Sequence, residues 1–322
     1  MGLNIDSIPG MGYFEFVNLP FQVTKNITLL GSELFNLYLV KGETYAIVEG
    51  AVSGITYPFL EQLKELKVPT EAISHLVILH SHFDHMMVFP TLKERYPWMK
   101  IVSSDLNRAI FSNERIVAKI FESDRKMTLA LKEGGIISEA PALQSNTSFP
   151  LDIAVSQGSV LDLGGGVRMK FLEIPGHSPD CLAAYLEEEG LLFCSDGAGF
   201  YTPPDFFRPN YWYRLGEAEK SLDKMRATDP EILCRGHYGV MIGKTLARKH
   251  LQMNRQSIED FKAFVLEKIN TGWSVEEMTK DVTERFSRGF LEFFPAEENY
   301  RLWKLLVQRT LEHFGIEMED KR

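Results

Sequence analysis

HSHFDH, residues 80–85, places three histidines and an aspartate within six positions of a 322-residue chain that has eight histidines. In an extended segment, side chains two residues apart project to the same side, so His80 and His82 can bind one ion. Asp84 and His85 follow at once and can turn toward a second ion. Four donors this close together are too many for one ordinary structural zinc site, which indicates two metal ions.

The segment before the motif predicts where these donors lie in the fold. HLVIL at residues 75–79 is typical of a buried strand and runs directly into the motif. Short strand patterns fill residues 13–50, beginning with YFEFV at 13–17, and return at 152–194. The three glycines at 164–166 predict a hairpin turn, because no helix follows them to bind a phosphate. The motif therefore starts at a strand end in a β-rich chain.

Helical patterns interrupt and then follow this β-rich part. Residues 104–135 are helical in pattern, and three helical patterns occupy the C-terminal part at residues 244–270, 274–286 and 296–314. The middle one opens with the capping-box spacing of Ser274–Glu277. The sequence therefore predicts an α/β domain at residues 1–242, with a helical insertion at about 104–135, and a helical unit at 243–322.

Composition restricts the partners and the compartment. The formal charge of −9, from 35 basic and 44 acidic residues, argues against nucleic acid or an anionic membrane as the main partner. Three cysteines are too few for a disulfide framework, which favours a reducing compartment. No signal peptide and no run of eighteen apolar residues is recognisable. We therefore expect a cytoplasmic protein with no membrane contact.

Three further donors each follow a predicted strand. They are His177 in EIPGHSPD, Asp196 in LLFCSDGAG and His237 in ILCRGHYG. Both Gly-His pairs suit tight turns that present a ring to a cleft. Any one of these histidines alone is better explained as a packed or surface residue. Together with the first four donors they indicate a metal centre.

The ordered pattern H-x-H-x-D-H, G-H-S/T-P, a strand that ends in aspartate, and G-H resembles the metallo-β-lactamase superfamily of di-metal hydrolases. That superfamily includes glyoxalase II-like thioesterases, lactonases and phosphodiesterases. The resemblance spans about residues 13–240 and implies an αββα sandwich with metals between the strand ends. It makes residues 1–242 the catalytic domain and residues 243–322 a C-terminal helical extension.

The resemblance also implies roles for the donors. His80, His82 and His177 would bind the first metal, Asp84, His85 and His237 the second, and Asp196 would bridge the two. Two divalent ions are expected, with zinc favoured by the nitrogen-rich donors and iron or manganese compatible with them. A shared water would lose a proton and supply hydroxide as the nucleophile. Asp84 is the candidate catalytic residue, which orients that water or passes its proton onward.

The sequence departs from the family pattern at several positions. Glu49 stands where relatives often carry aspartate, and Asp180 follows GHSP where glycine is common. No cysteine occupies the second metal site, so antibiotic hydrolysis is not favoured. The oxygen-reducing di-iron relatives usually show glutamate at the place of His82 and carry a flavin domain, which we do not expect here.

The aromatic stretch FYTPPDFFRPNYWYRL, residues 200–215, follows the bridging aspartate directly. Core packing and an apolar substrate pocket explain it equally well. For Arg208, a surface salt bridge is favoured over a contact with an acidic substrate group. For Tyr238, packing and donation to an oxyanion are equally compatible. The candidate pocket residues are Tyr201, Phe206, Phe207, Arg208, Tyr211, Trp212 and Tyr238.

The sequence thus favours a hydrolase that acts on a small ester-like molecule, a thioester or a lactone. Three alternatives stay open: a small-molecule phosphodiesterase, a mononuclear iron dioxygenase of the persulfide-oxidising kind, and a metal-containing binding or regulatory protein with little turnover. The partner is a small molecule in each case. The helical segment at about 104–135 could form a lid or a substrate wall. The C-terminal helices could either cap the cleft or form the contact of a homodimer, and their aromatic residues are Phe290, Phe293, Phe294 and Trp303.

Overall fold

The computed structural model describes residues 19–142, 146, 148–203 and 206–316. The predicted strand YFEFV at 13–17 lies outside these residues. Within them the backbone forms two mixed sheets and a short two-stranded ribbon. Helices cover the outer faces of both sheets, and the third long helical pattern of the sequence ends the described part.

The first sheet has seven strands that neighbour one another in chain order. They are β1 (Phe21–Gln22), β2 (Ile27–Gly31), β3 (Asn36–Lys41), β4 (Tyr45–Val48), β5 (Ile73–Val77), β6 (Lys100–Ser104) and β7 (Ile153–Val155). Strands β1 to β4 form antiparallel hairpins, whereas β4 to β7 run parallel. Parallel neighbours need crossover connections. Helices α1 (Thr56–Glu65), α2 (Phe89–Arg95), α3 (Asn107–Phe111) and α4 (Glu114–Glu133) supply them.

The second sheet has six strands in the order β15-β14-β11-β10-β9-β8. They are β8 (Val160–Asp162), β9 (Arg168–Glu173), β10 (Leu182–Leu186), β11 (Leu191–Phe193), β14 (Ile232–Cys234) and β15 (Val240–Ile242). The ribbon that the sequence pattern did not predict pairs β12 (Phe200–Thr202) with β13 (Phe206–Arg208). The predicted hairpin turn at Gly164–Gly166 joins β8 to β9 with positive φ at each glycine.

The two sheets pack face to face through fully buried side chains. Leu29 and Tyr38 of the first sheet belong to the same apolar cluster as Phe171 and Phe193 of the second. Tyr38 and Phe193 meet edge to face with their ring centroids 5.1 Å apart. A second cluster lies between the sheets and the helices. The architecture confirms the predicted αββα sandwich.

Four more α-helices follow in the described residues: α5 (Leu215–Ala227), α6 (Lys244–Asn270), α7 (Val275–Phe286) and α8 (Ala296–His313). The bounds of α6 agree with the sequence pattern, and α7 begins with the predicted Ser274–Glu277 capping box. The second apolar cluster includes residues from α6 to α8 as well as from the first sheet, and the domain division at 242/243 stays a prediction. No helix in the described part of the chain combines the length and the apolar character needed to cross a membrane.

Helix α4 of the predicted insertion is fixed to the loop after β4. Its Asp124 accepts hydrogen bonds from the backbone N–H and the hydroxyl of Ser53, at 2.8 and 2.6 Å. Thr128 Oγ1 accepts from the Gly54 N–H at 3.2 Å. Burial raises the pKa of Asp124 to about 7, against the effect of the Ser53 hydrogen bonds. The anchoring directs one face of α4 toward the strand ends.

Candidate metal centre

The seven predicted donors lie together at the ends of strands. His80, His82, Asp84 and His85 follow β5, His177 follows β9, Asp196 follows β11, and His237 follows β14. The chain leaves the extended conformation after His82 and enters a 3-10 turn at Phe83–His85. Because of this turn, the side chains of Asp84 and His85 point in a different direction from those of His80 and His82. The donors therefore form adjoining groups, in each of which the ligand atoms lie within 4.8 Å of one another.

The first group contains His80, His82 and His177. His82 Nδ1 and His177 Nε2 lie 2.9 Å apart. His80 Nε2 is fully buried and has no hydrogen-bond partner among the described residues. A buried polar atom without a partner costs free energy, so its presence calls for an explanation. A metal ion bound by three imidazole nitrogens provides one.

The second group contains Asp84, His85 and His237. Asp84 Oδ2 lies 3.6 Å from His85 Nε2 and 3.5 Å from His237 Nε2. The two imidazole nitrogens are 3.2 Å apart. Two nitrogens and one carboxylate oxygen that converge in this way form a donor set that suits Zn²⁺ or iron.

Asp196 lies between the two groups. Its Oδ1 is 3.7 Å from His85 Nε2 and 3.6 Å from His237 Nε2. Its Oδ2 is 3.6 Å from His177 Nε2 and accepts a hydrogen bond from Asn210 Nδ2 at 3.2 Å. One carboxylate oxygen thus faces each group.

The outer ring nitrogens of the histidines are held by fixed partners. Three Nδ1–H groups donate to acceptors outside the centre: His85 to Glu49 Oε2 at 2.7 Å, His177 to the Asn210 carbonyl at 3.1 Å, and His237 to the Leu34 carbonyl at 2.5 Å. This arrangement leaves each Nε2 lone pair directed inward, which is how metal-binding histidines are usually oriented. Glu49, the first departure from the family pattern, thereby has a structural role.

Asp180, the second departure, ties two of the donor segments together. Its Oδ2 accepts the Ser81 N–H at 2.7 Å, and its Oδ1 accepts the Ser178 hydroxyl at 2.6 Å. Ser81 lies between His80 and His82, and Ser178 follows His177 directly. The carboxylate therefore fixes the relative positions of the segments that carry the first group.

Glycines allow the close approach of the turns that precede two of the histidines. A Cβ on Gly236 would lie 2.4 Å from His85 Cε1, and one on Gly176 would lie 2.5 Å from the Ala218 Cα. Gly176 also has a φ of 145°, which residues with a side chain rarely adopt. The Gly-His pairs of the sequence thus reflect sterically restricted turns.

The electrostatics of the centre favour a bound cation. Burial lowers the pKa of His177 to about 3 and lowers that of His80 as well, so both rings are neutral and can act as ligands. Burial also lowers the pKa of His85, but Asp84, Glu49 and Asp196 outweigh it and raise that pKa to about 10. Positive charge is therefore stabilised among these carboxylates, and a divalent ion can supply it in place of a proton.

A cavity of about 420 Å³ opens onto the centre. His82, Asp84, His177 and Asp196 lie at its floor. Helices α4 and α8 contribute to its walls, so the insertion and the last of the C-terminal helices both border the cleft. The apolar residues that these two helices contribute are Ile116, Ile120, Leu302 and Leu305, and Phe294 lines the cleft just before α8 begins.

The structure separates the seven candidate pocket residues into three sets. Arg208 and Trp212 line the cleft. Phe206 and Phe207 instead border a second cavity of about 390 Å³ beside α6. The other three are buried and are not among the described residues that line the cleft: Tyr201, Tyr211 and Tyr238. Tyr211 packs in the core and shares a hydrogen bond with Thr310 Oγ1 at 2.9 Å.

The expectation of a surface salt bridge for Arg208 is wrong, because only 2% of this residue is exposed. Sequence reasoning also missed Asn210, whose Nδ2 donates to Asp196 Oδ2 and whose carbonyl accepts from His177 Nδ1. Asn210 lies within the aromatic stretch of residues 200–215. It does not follow a predicted strand, so its position gave no sign of a role at the centre. The apolar stripes of α4 and α8 carry no local sign of which neighbour they face.

Residues 36–237 match the family model described as the metallo-beta-lactamase superfamily. The match covers more than half of the chain, and together with the fold and the donor arrangement it defines the class. This chain belongs to the metallo-β-lactamase superfamily.

Individual relatives are similar to this chain in sequence, and only some of their names state an activity. The metallo-beta-lactamase fold-containing protein ST1585 of Sulfurisphaera tokodaii is 25% identical over 232 residues, which cover 69% of this chain and 79% of that protein. The anaerobic nitric oxide reductase flavorubredoxin of Aliivibrio salmonicida is 22% identical over 186 residues, which cover 58% of this chain. The match spans only 30% of the flavorubredoxin's length.

Among solved structures, a metallo-beta-lactamase family protein from Thermus thermophilus superimposes with a TM-score of 0.64. The superposition covers 91% of this chain and 95% of that one, at 18% sequence identity. The similarity therefore extends beyond the residues of the family match and includes most of the C-terminal helices.

Proposed function

We propose that this protein is a metal-dependent hydrolase that cleaves an ester-like bond, a thioester or a lactone, in a small and partly apolar molecule. The observation that carries the proposal is the placement of Asp196, whose two oxygens face two adjoining groups of three donors. Such a set suits two divalent ions that share a bridging carboxylate. Zinc is the proposed metal, since five of the seven donors are imidazoles.

The residues fit such a pair of ions on their own chemistry. His80 Nε2 has no protein partner in the described chain, and ring nitrogens of two histidines converge within each group, at 2.9 Å in the first and 3.2 Å in the second. When bound, two divalent ions would lower the pKa of a water toward about 7 and would polarise the bond to be cleaved. His80, His82 and His177 would hold one ion, and Asp84, His85 and His237 the other.

Asp84 is the proposed catalytic residue. It lies on the cleft floor, and the imidazoles of His85 and His237 outweigh the effect of its burial and keep its pKa low. A carboxylate in that state accepts a hydrogen bond from a water in the cleft and thereby orients it. It can then receive the proton that the water loses. Trp212, which packs against His82 and His177, excludes bulk water from one side.

A hydrolysis panel tests the proposal. The protein, purified without chelators and supplied with Zn²⁺, is assayed on thioesters, lactones and chromogenic phosphodiesters. We expect turnover of a thioester or a lactone, and a loss of about 100-fold or more in Asp84→Asn. Asp223→Asn, a substitution on the exposed side of α5, is the matched control. Inactivity toward all three classes would remove the proposal, and turnover of phosphodiesters alone would replace it with a phosphodiesterase.

The match to flavorubredoxin supports a second candidate, an oxidoreductase with an iron centre. His82 argues against it, since the resemblance to the oxygen-reducing relatives would place glutamate there. Elemental analysis separates the candidates. Two iron atoms per chain with oxygen consumption in the presence of a reductant would favour the oxidoreductase. A single iron with oxygen consumption would instead favour the mononuclear dioxygenase.

A further inference from the structure

Arg208 of β13 is a buried cation that lies among aromatic faces. Its Cζ lies 4.6 Å from the ring centroid of Phe200, 5.5 Å from that of Trp212 and 5.6 Å from that of Trp303. In the described chain it forms no ion pair and no hydrogen bond, and its Nε is buried without a partner. Aromatic faces stabilise a cation but leave its N–H donors unsatisfied.

Such an arrangement is costly unless another group completes it. Burying a charge without a hydrogen-bonded partner is among the most unfavourable features that a protein interior can contain. Burial lowers the pKa of Arg208 to about 10, so the guanidinium remains charged at neutral pH. Its five N–H donors in a planar fork match a carboxylate or a phosphate, which can accept two parallel hydrogen bonds.

The position of Arg208 indicates where that group comes from. Arg208 lines the same cleft as Asp84, Asp196 and Trp212, so a molecule bound at the metal centre reaches it. Neither carboxylate lies within ion-pair distance of the guanidinium. Both carboxylates are directed instead at the histidines of the centre.

The outer part of the cleft adds positive charge and apolar surface. Lys119 of α4 and Arg301 of α8 line it and are exposed. Glu298, the acidic residue of this outer wall, is paired with Lys126 at 2.8 Å. Apolar residues of α4 and α8 line the same cleft. The cleft therefore suits an anion that also carries an apolar part.

We propose that Arg208 binds an anionic group of the substrate, a carboxylate or a phosphate, while the apolar part of the same molecule packs between α4 and α8. The inference rests on the proposed function in that it names the substrate class of the same cleft. Arg208 is thus a specificity-determining residue. It binds the substrate at a group that is separate from the bond that is cleaved.

Matched esters and a binding measurement test the proposal on the Zn²⁺-loaded protein. The esters are the thiophenyl ester of glutaric acid, its neutral methyl ester, and an analogue that ends in phosphate. Binding of glutarate, inorganic phosphate and neutral glutaramide is followed by tryptophan fluorescence, since Trp212 lies beside Arg208. The variants are Arg208→Met and Arg208→Lys. Arg288→Met is the matched control. The Cζ of Arg288 lies 5.7 Å from the ring centroid of Phe206, so this arginine also packs on an aromatic face, but it is exposed and does not line the cleft.

In the wild type we expect kcat/KM for an anionic ester to exceed that for the neutral ester by about 30-fold or more, the range for a buried charge pair. Arg208→Met should abolish this ratio, Arg208→Lys should retain part of it, and Arg288→Met should leave it unchanged. The preferred anion identifies the group as carboxylate or phosphate. A wild type without preference, or a ratio unchanged in Arg208→Met, overturns the proposal.

The binding measurement separates this inference from the proposed hydrolase. If no ester is cleaved but glutarate or phosphate binds the wild type and not Arg208→Met, the anion site stands and the hydrolase fails. If esters are cleaved but binding and cleavage are the same in Arg208→Met, the hydrolase stands and the anion site fails. Absence of both cleavage and anion binding overturns both. Should Arg208→Met not fold, Arg208→Lys decides, since loss of the bidentate fork alone must lower the ratio.

Discussion

Replacing Gly236 by alanine perturbs the metal centre without replacing any of the seven donor residues. The new Cβ would lie 2.4 Å from His85 Cε1 and 2.9 Å from His85 Nδ1. To restore an ordinary contact, the His85 ring or the turn must move by about 1 Å, and the ring cannot retreat freely. Glu49 holds the ring through a 2.7 Å hydrogen bond, and 1% of His85 is exposed.

We therefore expect Gly236→Ala to lower the free energy of unfolding by about 1–3 kcal/mol, as overpacked cores do. Misplacement of His85 should also lower the affinity for metal by about 10–100-fold, the range for disturbed ligand orientation. Urea unfolding gives the first quantity, and competition with a chromogenic chelator gives the second. Gly216→Ala is the control, because its Cβ would meet only the His313 ring at 3.5 Å. Equal metal affinity in the wild type and Gly236→Ala would refute the reasoning.

Two further substitutions test other parts of the structure. Glu49→Gln keeps an acceptor for His85 but removes the charge, and should weaken metal binding by about 10–100-fold in the same competition assay; an unchanged affinity would contradict the role of Glu49. The pKa of Asp124 is about 7 in the folded protein and about 3.9 in the unfolded chain. The contribution of the protonated carboxyl to stability is therefore complete below about pH 3.9 and is lost as the pH rises through 7. Asp124→Asn should accordingly stabilise the protein by up to about 4 kcal/mol at pH 8 and far less at pH 5, measured by urea unfolding. An increase in the free energy of unfolding that does not depend on pH would show that the ionisation of Asp124 is not its cause.

Local signals explain what the sequence could predict. The donors of HSHFDH and the two Gly-His turns follow short buried strands, and strand ends are where side chains leave the sheet. The bounds of α6 could be read from helical periodicity, and the start of α7 from its capping box. Both signals depend on neighbours within a few residues, which the sequence displays directly.

The rest depends on contacts between residues far apart in the chain. Whether the apolar stripe of α4 faces a core or a cleft depends on α8, which is more than 160 residues away. Arginine is rarely buried, so the sequence favours a surface position for Arg208. Only the folded chain brings Phe200, Trp212 and Trp303 around it. The cytoplasmic location and the homodimer stay predictions.

The central claim is that seven side chains at strand ends hold two metal ions with Asp196 between them. Elemental analysis of protein purified without chelators, followed by measurement of metal content in Asp196→Asn, tests it most directly. The account predicts about two divalent ions per chain in the wild type and a loss of one or both in the variant. A wild type that binds no ion at these residues, or a variant that keeps both, would contradict it.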